Sequence, residues 1–176
     1  MTTAPGTPAP AVILVGPPGA GKTAVGTLLA ERLGTEFRDT DADVERLAGK
    51  PVRDIFLADG EERFRELEAA AVRTALAEHR GVLALGGGAV LSEATRALLT
   101  GRPVVFLDVD LADAVRRVGL DAPRPLLAVN PRQQWRGLME ERRPLYTEVA
   151  RTVVSTSGRT PEEAAQAVLD ALELKP

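Results

Sequence analysis

The sequence has no cysteine and only one histidine, His79, among its 176 residues. Without cysteine the chain can form no disulfide bond, thiolate zinc site or iron–sulfur cluster, and it has no thiol nucleophile. One histidine excludes a histidine-rich metal site. We therefore expect any catalysis to use lysine, arginine, aspartate, backbone N–H groups or a bound metal ion.

Long apolar runs and an excess of positive charge are missing as well. No segment reaches the roughly 20 apolar residues that span a bilayer, and residues 1–10 lack the charged start and apolar centre of a secretory signal. The net charge is −3, whereas nucleic-acid binders usually carry a strong basic excess. We expect a cytoplasmic protein that has neither a membrane nor a nucleic-acid partner.

Strand and helix patterns alternate along the chain. Continuous apolar runs at 11–15, 82–85 and 103–107 are typical of strands that are buried on both faces of a parallel sheet, and shorter strands are expected at 35–39 and 151–155. Helical patterns separate them, including a short one at 51–60, a longer one at 61–80, one at 110–119 and one at 131–146 that Pro144 should end or kink. Thr160 and Glu163 form a capping box that should open the last helix. We expect a disordered tail at 1–10 and one α/β domain at 11–176, with ligands bound beyond the carboxyl ends of the strands.

Residues 16–23, GPPGAGKT, match the phosphate-binding pattern GxxxxGK[ST] in full. The pattern lies between a buried strand and a helix, as phosphate binding requires. Its glycines let successive N–H groups point at a phosphate, and the helix adds its positive end. Lys22 is expected to contact the β- and γ-phosphates, and the Thr23 hydroxyl can bind Mg²⁺. Binding of a nucleoside triphosphate is the strongest inference from the residues alone.

Polar or glycine-rich groups also follow two other strands. Asp39, Thr40 and Asp41 fit two interpretations, and both stay open: Thr40 caps a helix with Asp43 in its first turn, or Asp39 holds Mg²⁺. Gly86, Gly87 and Gly88 follow the strand at 82–85, and three glycines in a row indicate that something approaches the backbone closely.

Arginines are concentrated near the carboxyl end of the chain. Seven lie between Arg116 and Arg143 against three acids, a local charge of +4 that indicates an anion-binding segment. Arg124 lies between two prolines in a loop, a stiff position from which to close over phosphates. From its local sequence, Arg65 is interpreted as a surface ion-pair partner of neighbouring glutamates. His79 is interpreted as a structural residue near a helix C-terminus.

Taken together, these motifs resemble the shikimate kinases over about residues 11–172. The resemblance rests on GPPGAGKT (16–23), DTD (39–41), GEERFRELE (60–68), LGGGAV (85–90), RPLL (124–127) and RRPLY (142–146). It implies a three-layer P-loop kinase fold, similar to nucleoside monophosphate kinases, with a five-stranded parallel sheet in the order 2-3-1-4-5. It also implies a substrate-binding helical region at about 40–68, a lid at about 119–130, and ATP-dependent phosphorylation of the 3-hydroxyl of shikimate in aromatic amino-acid biosynthesis.

The resemblance further implies a role for each matching residue. The catalytic residues would be Lys22, Asp41 and Arg124, and the metal ligands for Mg²⁺ would be Thr23 and Asp39. ATP would bind to Pro18, Gly19, Ala20, Gly21, Lys22, Thr23, Arg117, Arg124 and Arg159. Shikimate would bind to Asp41, Arg65, Gly86, Gly87, Gly88 and Arg143, with Arg65 and Arg143 on its carboxylate.

Two other functions are compatible with the phosphate loop. One is a kinase of the same fold acting on gluconate or a nucleoside monophosphate, and the other is a nucleotide-binding module without transferase activity. The arginines and glycine triplet suit a small carboxylate acceptor, and the intact set of catalytic residues argues against an inactive module. We expect a monomer that binds shikimate and ATP.

Overall fold

The computed structural model describes residues 9–121 and 131–175 of the chain. Its strands are β1 (Val12–Val15), β2 (Phe37–Asp39), β3 (Val82–Ala84), β4 (Val104–Asp108) and β5 (Thr152–Ser155). Its helices are α1 (Lys22–Leu33), α2 (Thr40–Ala48), α3 (Val52–Glu78), α4 (Glu93–Leu99), α5 (Leu111–Asp121), α6 (Pro131–Val149) and α7 (Pro161–Ala171), and a 3₁₀ turn spans Ala89–Leu91.

The five strands form one parallel sheet in the order β2-β3-β1-β4-β5, which confirms the predicted architecture. β1 lies at its centre, where Ile13 pairs with Leu83 on one side and with Val104 on the other. Every residue of β1 is buried, because helices cover both faces of a parallel sheet. A run of apolar, β-branched residues is what such a strand requires.

Two apolar clusters form the core of the part of the chain that the structure describes. The larger one surrounds the sheet and includes Tyr146 and Trp135 of α6. The smaller one lies between α2 and α3 and is built from Val44, Ile55, Phe64 and Ala71. The helices at 40–68 thus carry a small core of their own beside the sheet.

Two helix boundaries differ from the sequence pattern. α5 continues past Gly119 to Asp121, and α6 continues past Pro144 to Val149. The helix end that the sequence predicts near Gly60 is confirmed: the backbone there is non-helical (φ 86°, ψ 167°), and α3 consists of one helical segment on either side of it. The expected tail at 1–10 lies outside the described residues except for 9 and 10, and so does the lid beyond residue 121.

No helix in the described part of the chain is long and apolar enough to cross a membrane.

Candidate active site

Residues of three predicted site motifs meet at the carboxyl edge of the sheet. The phosphate loop follows β1, Asp39 ends β2, and the glycine triplet follows β3. Because these three strands are neighbours and parallel, their ends lie side by side. The fold therefore brings together groups that are far apart in the sequence.

The phosphate loop has the features of an anion site. The N-terminus of α1 has no side-chain cap, so its N–H groups are left for a ligand. The Lys22 ammonium lies across the loop, donating to the Gly16 carbonyl at 2.7 Å and the Pro17 carbonyl at 3.1 Å. Thr23 is exposed in the first turn of α1. Lys22 and Thr23 thus lie at the loop, and their expected roles in binding phosphate and metal stay predictions.

Two of the arginines that are expected to bind the nucleotide lie within the described residues, one beside the phosphate loop and one in the turn after β5. Nη1 of Arg117 on α5 donates to the Gly19 carbonyl at 2.9 Å. Arg159 lies in the turn after β5, where its N–H donates to the Thr156 carbonyl at 3.2 Å. Arg124 lies outside the described residues, so its expected role stays a prediction.

Asp39, and not Thr40, caps α2. Oδ1 of Asp39 accepts a hydrogen bond from the Asp41 N–H at 2.9 Å. Thr40 is fully buried, and its hydroxyl accepts the Gly86 N–H at 3.2 Å, which ties α2 to the glycine triplet. Asp43 does not complete a capping box, because its carboxylate pairs with Arg38 at 2.8 Å. The capping interpretation thus chose the wrong residue.

A cavity of about 70 Å³ adjoins the phosphate loop. Pro18 of the loop forms part of its wall, and Asp41 contributes a half-buried carboxylate. Opposite charges are close by, since Arg65 and Arg142 also line it. We call this cavity the acceptor pocket. It is small, polar on one side and directly beside the place where a phosphate would bind.

Arg65 is held by a buried glutamate. Its Nη1 donates to Oε1 of Glu68 at 2.8 Å, and Nη2 lies 3.6 Å from Glu61. The pairing with neighbouring glutamates that the sequence predicts is therefore present, but Glu68 is only 3% exposed, so its half of the pair is not a surface contact. Burial raises the pKa of Glu68 above its ordinary value, and the positive charge of Arg65 only partly opposes this effect.

The glycine triplet is needed because these side chains pack on its backbone. A Cβ atom at Gly88 would lie 2.2 Å from Nη1 of Arg65. A Cβ atom at Gly86 would lie 2.5 Å from Oδ1 of Asp41 and 2.7 Å from Oε2 of Glu68. The close approach that three glycines indicate is thus an approach of the site's own side chains.

Arg142 occupies the place that we expected Arg143 to take. Nη1 of Arg142 would lie 3.5 Å from a Cβ at Gly87, and the side chain is buried at the acceptor pocket. Arg143 does not line this pocket; its half-exposed guanidinium donates to Oδ2 of Asp108 at 2.7 Å. Successive residues of a helix point about 100° apart, so only one of two adjacent arginines can face the pocket.

The two pocket arginines each retain a donor for a ligand. Nε of Arg65 and Nε of Arg142 are buried, and neither has a hydrogen-bond partner among the described residues. Buried polar groups are normally hydrogen-bonded, and exceptions need an explanation. A small carboxylate between two guanidinium groups would supply the missing acceptors.

Glu68, Arg142 and Tyr146 are residues of the site that the motifs alone did not reveal. The Tyr146 hydroxyl donates to the Gly87 carbonyl at 2.6 Å, and burial raises its pKa to about 12. Spacing could have found two of them. The buried positions of α6 recur every three or four residues: Trp135, Met139, Arg142, Tyr146 and Val149.

Comparisons with known proteins agree with one another. A family model described as shikimate kinase matches residues 18–173. A shikimate kinase of Streptomyces coelicolor is 64% identical over 167 residues, which cover 95% of this chain and 98% of that protein. One of Salinispora arenicola is 62% identical over 157 residues, covering 89% and 94%. Among solved structures, a shikimate kinase from Acinetobacter baumannii in complex with shikimate aligns with a TM-score of 0.89 and 40% identity, covering 95% of this chain and 94% of that one.

Proposed function

The chain belongs to the shikimate kinase family, and from this premise we propose that it transfers the γ-phosphoryl group of ATP to the 3-hydroxyl of shikimate. The observation that carries the proposal is the acceptor pocket beside the phosphate loop. It combines one aspartate with two arginines whose Nε donors have no partner in the described part of the chain. An acceptor that carries both a carboxylate and a hydroxyl group fits this set. A gluconate or nucleotide acceptor is not favoured by any separate feature.

Arg65 and Arg142 bind the carboxylate of shikimate in this proposal. Guanidinium forks bind carboxylates bidentately and fix their orientation. Arg142 therefore takes the role that the sequence resemblance assigned to Arg143. Glu68 keeps Arg65 in place through its bond of 2.8 Å, and the Gly87 N–H is a further donor that the resemblance implies. Orientation of the ring turns one hydroxyl toward the phosphate loop.

Asp41 orients that hydroxyl and accepts its proton. The hydroxyl oxygen forms a bond to the γ-phosphorus while the bond from phosphorus to the β,γ-bridging oxygen breaks, so ADP leaves with the electron pair. Phosphoryl transfer depends mainly on positioning and on stabilisation of charge. Asp41 lines the acceptor pocket together with Pro18 of the phosphate loop, so a bound hydroxyl would lie between the two.

Lys22 neutralises charge on the transferring group. Its ammonium bonds two loop carbonyls, those of Gly16 and Pro17, and phosphate oxygens would replace these acceptors when ATP binds. Arg117 and Arg159 bind the nucleotide side, and Arg124 closes over the phosphates and excludes water that would otherwise hydrolyse ATP. The role of Arg124 follows from the resemblance alone.

Mg²⁺ is the metal that the chemistry of the site suits. The described residues contain no cluster of three acidic or histidine side chains that could hold a metal ion by themselves. The hydroxyl of Thr23 and the carboxylate of Asp39 are hard oxygen donors, the type that Mg²⁺ prefers, and Mg²⁺ usually takes further oxygens from water and substrate phosphates. When bound, the ion would offset negative charge on the β- and γ-phosphates.

We propose that the enzyme acts as a cytoplasmic monomer.

A coupled assay of ADP release tests the function. The purified protein with Mg²⁺ and ATP should release ADP only when shikimate is added, and gluconate and nucleoside monophosphates should not replace it. Absence of turnover with shikimate, or equal turnover with gluconate, would contradict the proposal.

The variant Asp41→Asn tests the proton acceptor. It should bind ATP as the wild type does but lose kcat by roughly 10²- to 10⁴-fold, because a positioned general base contributes about this much. Calorimetric titration measures the binding, and the coupled assay measures the rate. An unchanged kcat would remove Asp41 from the chemistry.

A further inference from the structure

Thr156, in the turn after β5, joins three parts of the nucleotide side of the site. It is 2% exposed, and its hydroxyl donates to the Ala20 carbonyl of the phosphate loop at 2.8 Å. The same oxygen accepts a hydrogen bond from Nη1 of Arg117 at 3.2 Å. Its backbone N–H donates to the Asp108 carbonyl at 2.8 Å, which fixes the threonine on the end of β4.

Arg117 contacts both the same loop and Thr156. Its Nη1 donates to the Gly19 carbonyl at 2.9 Å, and its Nη2 donates to the Thr156 carbonyl at 3.1 Å. Two consecutive carbonyls of the phosphate loop, those of Gly19 and Ala20, are therefore held from outside the loop by Arg117 and Thr156, which are hydrogen-bonded to each other.

A hydrogen bond that fixes a peptide carbonyl also fixes the direction of the N–H group in the same peptide plane. All described peptide bonds are trans, so each C=O points opposite to the N–H of the next residue. With its carbonyl on Arg117, the Gly19–Ala20 peptide turns the Ala20 N–H across the loop, where it lies 3.2 Å from the Pro17 carbonyl. By the same geometry, the Ala20 carbonyl on Thr156 turns the Gly21 N–H away from the Thr156 hydroxyl.

We propose that Thr156 is a positioning residue for ATP: its hydroxyl holds the Ala20 carbonyl so that the Gly21 N–H of the phosphate loop faces the phosphates. The proposal goes beyond the function proposed above and rests on it only in taking ATP as the nucleotide. Without the hydroxyl, the Ala20 carbonyl loses its partner and Nη1 of Arg117 loses an acceptor. The loop then has to be ordered by the nucleotide itself, at a cost in affinity.

Three variants test this role. Thr156→Val removes the hydroxyl and keeps the volume, Thr156→Ser restores the hydroxyl, and Thr156→Ala replaces the valine variant if that one does not fold. The matched control is Thr95→Val on α4, which alters a second threonine that is also 2% exposed but lies away from the phosphate loop. ADP affinity is measured by calorimetric titration without shikimate, and KM is measured for both substrates.

Loss of the hydroxyl should weaken ADP binding and raise the KM for ATP about three- to tenfold, as expected for one lost hydrogen bond. The KM for shikimate should stay within about twofold, Thr156→Ser should behave as the wild type, and Thr95→Val should leave ADP affinity unchanged. Equal effects on both substrates, an unchanged ADP affinity, or a serine variant as weak as valine would overturn the inference. The ADP titration stands even if shikimate were not the acceptor, so it fails separately from the proposed function.

Discussion

Arg142 and Arg143 show how much depends on single residues in this site. The two are adjacent in sequence and identical in chemistry, yet one is buried against the acceptor pocket and the other pairs with Asp108 near the surface. The motif RRPLY identifies the pair but not its inward member. The helical spacing of the buried positions of α6 does identify it, because Arg142 falls on the face of Met139 and Tyr146.

The variants Arg142→Met and Arg143→Met should therefore differ clearly in their KM for shikimate. Arg142→Met should raise the KM for shikimate about 10- to 100-fold, because hydrogen bonds to a charged group contribute about 1.5–3 kcal/mol. Arg143→Met should change it less than about twofold, since an exposed ion pair contributes little. Initial rates at saturating ATP measure both. A larger effect at Arg143 would return the role to the residue that the resemblance indicated.

Glu68 makes the stability of the fold depend on pH. Its pKa in the folded protein is raised above an ordinary value of 4.5 by burial, so the folded state binds its proton more tightly than the unfolded state does. The contribution of a raised carboxyl pKa is fully present below the unfolded pKa and is lost as pH rises through the folded pKa. Glu68→Gln, which cannot ionise, should therefore gain stability relative to the wild type as pH rises above 4.5.

Urea unfolding of the wild type and Glu68→Gln across this pH range measures the difference. The control is Glu66→Gln, whose carboxylate lies in an exposed ion pair with Arg63. A difference between Glu68→Gln and the wild type that does not change with pH would contradict the direction of the shift. The variant should also have a higher KM for shikimate, because Arg65 loses its charged partner.

At the scale of elements, α3 contains a sharp break at Gly60. The backbone there has φ 86° and ψ 167°, a conformation that is essentially restricted to glycine, and a Cβ atom would meet no neighbour within 4 Å. The cost of a side chain is therefore backbone strain alone. This break lets the first part of α3 fold back on α2 while the second part carries Arg65 to the site.

Gly60→Ala should destabilise the protein by about 1–3 kcal/mol. Gly137→Ala is the matched control, because Gly137 lies within α6 with open space around its Cα and should become more stable by about 0.5–1 kcal/mol. Thermal and urea unfolding measure both changes. Stabilisation by Gly60→Ala would mean that the break does not constrain the helix.

The elements also show which local signals in the sequence were sufficient. The Thr160 and Glu163 capping box at the start of α7 is present as predicted, because both of its bonds form within four residues. Thr40 has the same local pattern, but a long-range bond to Gly86 takes its hydroxyl, and Asp39 becomes the cap. α6 passes Pro144 because packing of Tyr146 and Val149 on the sheet outweighs the local cost of proline. Tertiary contacts therefore decide which residue caps α2 and where α6 ends, and no local sequence pattern contains these contacts.

At the scale of the whole molecule, the large and small apolar clusters differ in what they stabilise. The small cluster of Val44, Ile55, Phe64 and Ala71 supports the helices at the acceptor pocket, whereas the sheet supports the phosphate loop. A core of four side chains buries little apolar surface, so its helices should open more readily than the sheet. Ligands that contact these helices should make them open less often, and should thereby reduce the difference in opening between the helices and the sheet.

Amide hydrogen exchange should resolve the two units. Amides of α2 and of α3 before Gly60 should exchange faster than those of β1, β3 and β4, and shikimate should slow the former while ADP alone should not. Mass spectrometry of peptides from 40–60 and from 11–15 makes the comparison. Uniform exchange in both regions, or equal protection by either ligand, would contradict this separation.

The central position of β1 has a consequence for how the chain reaches this fold. β1 precedes the other described strands along the chain, but its partners are β3 and β4, and Ile13 cannot pair until Leu83 and Val104 have been made. Long-range parallel pairing of this kind is slow, because large loops must close before any contact compensates for their entropy. Until residue 104 has been made, this wholly apolar strand is therefore without both of its final neighbours and open to aggregation, so translation speed and chaperone capacity should affect the yield of folded enzyme.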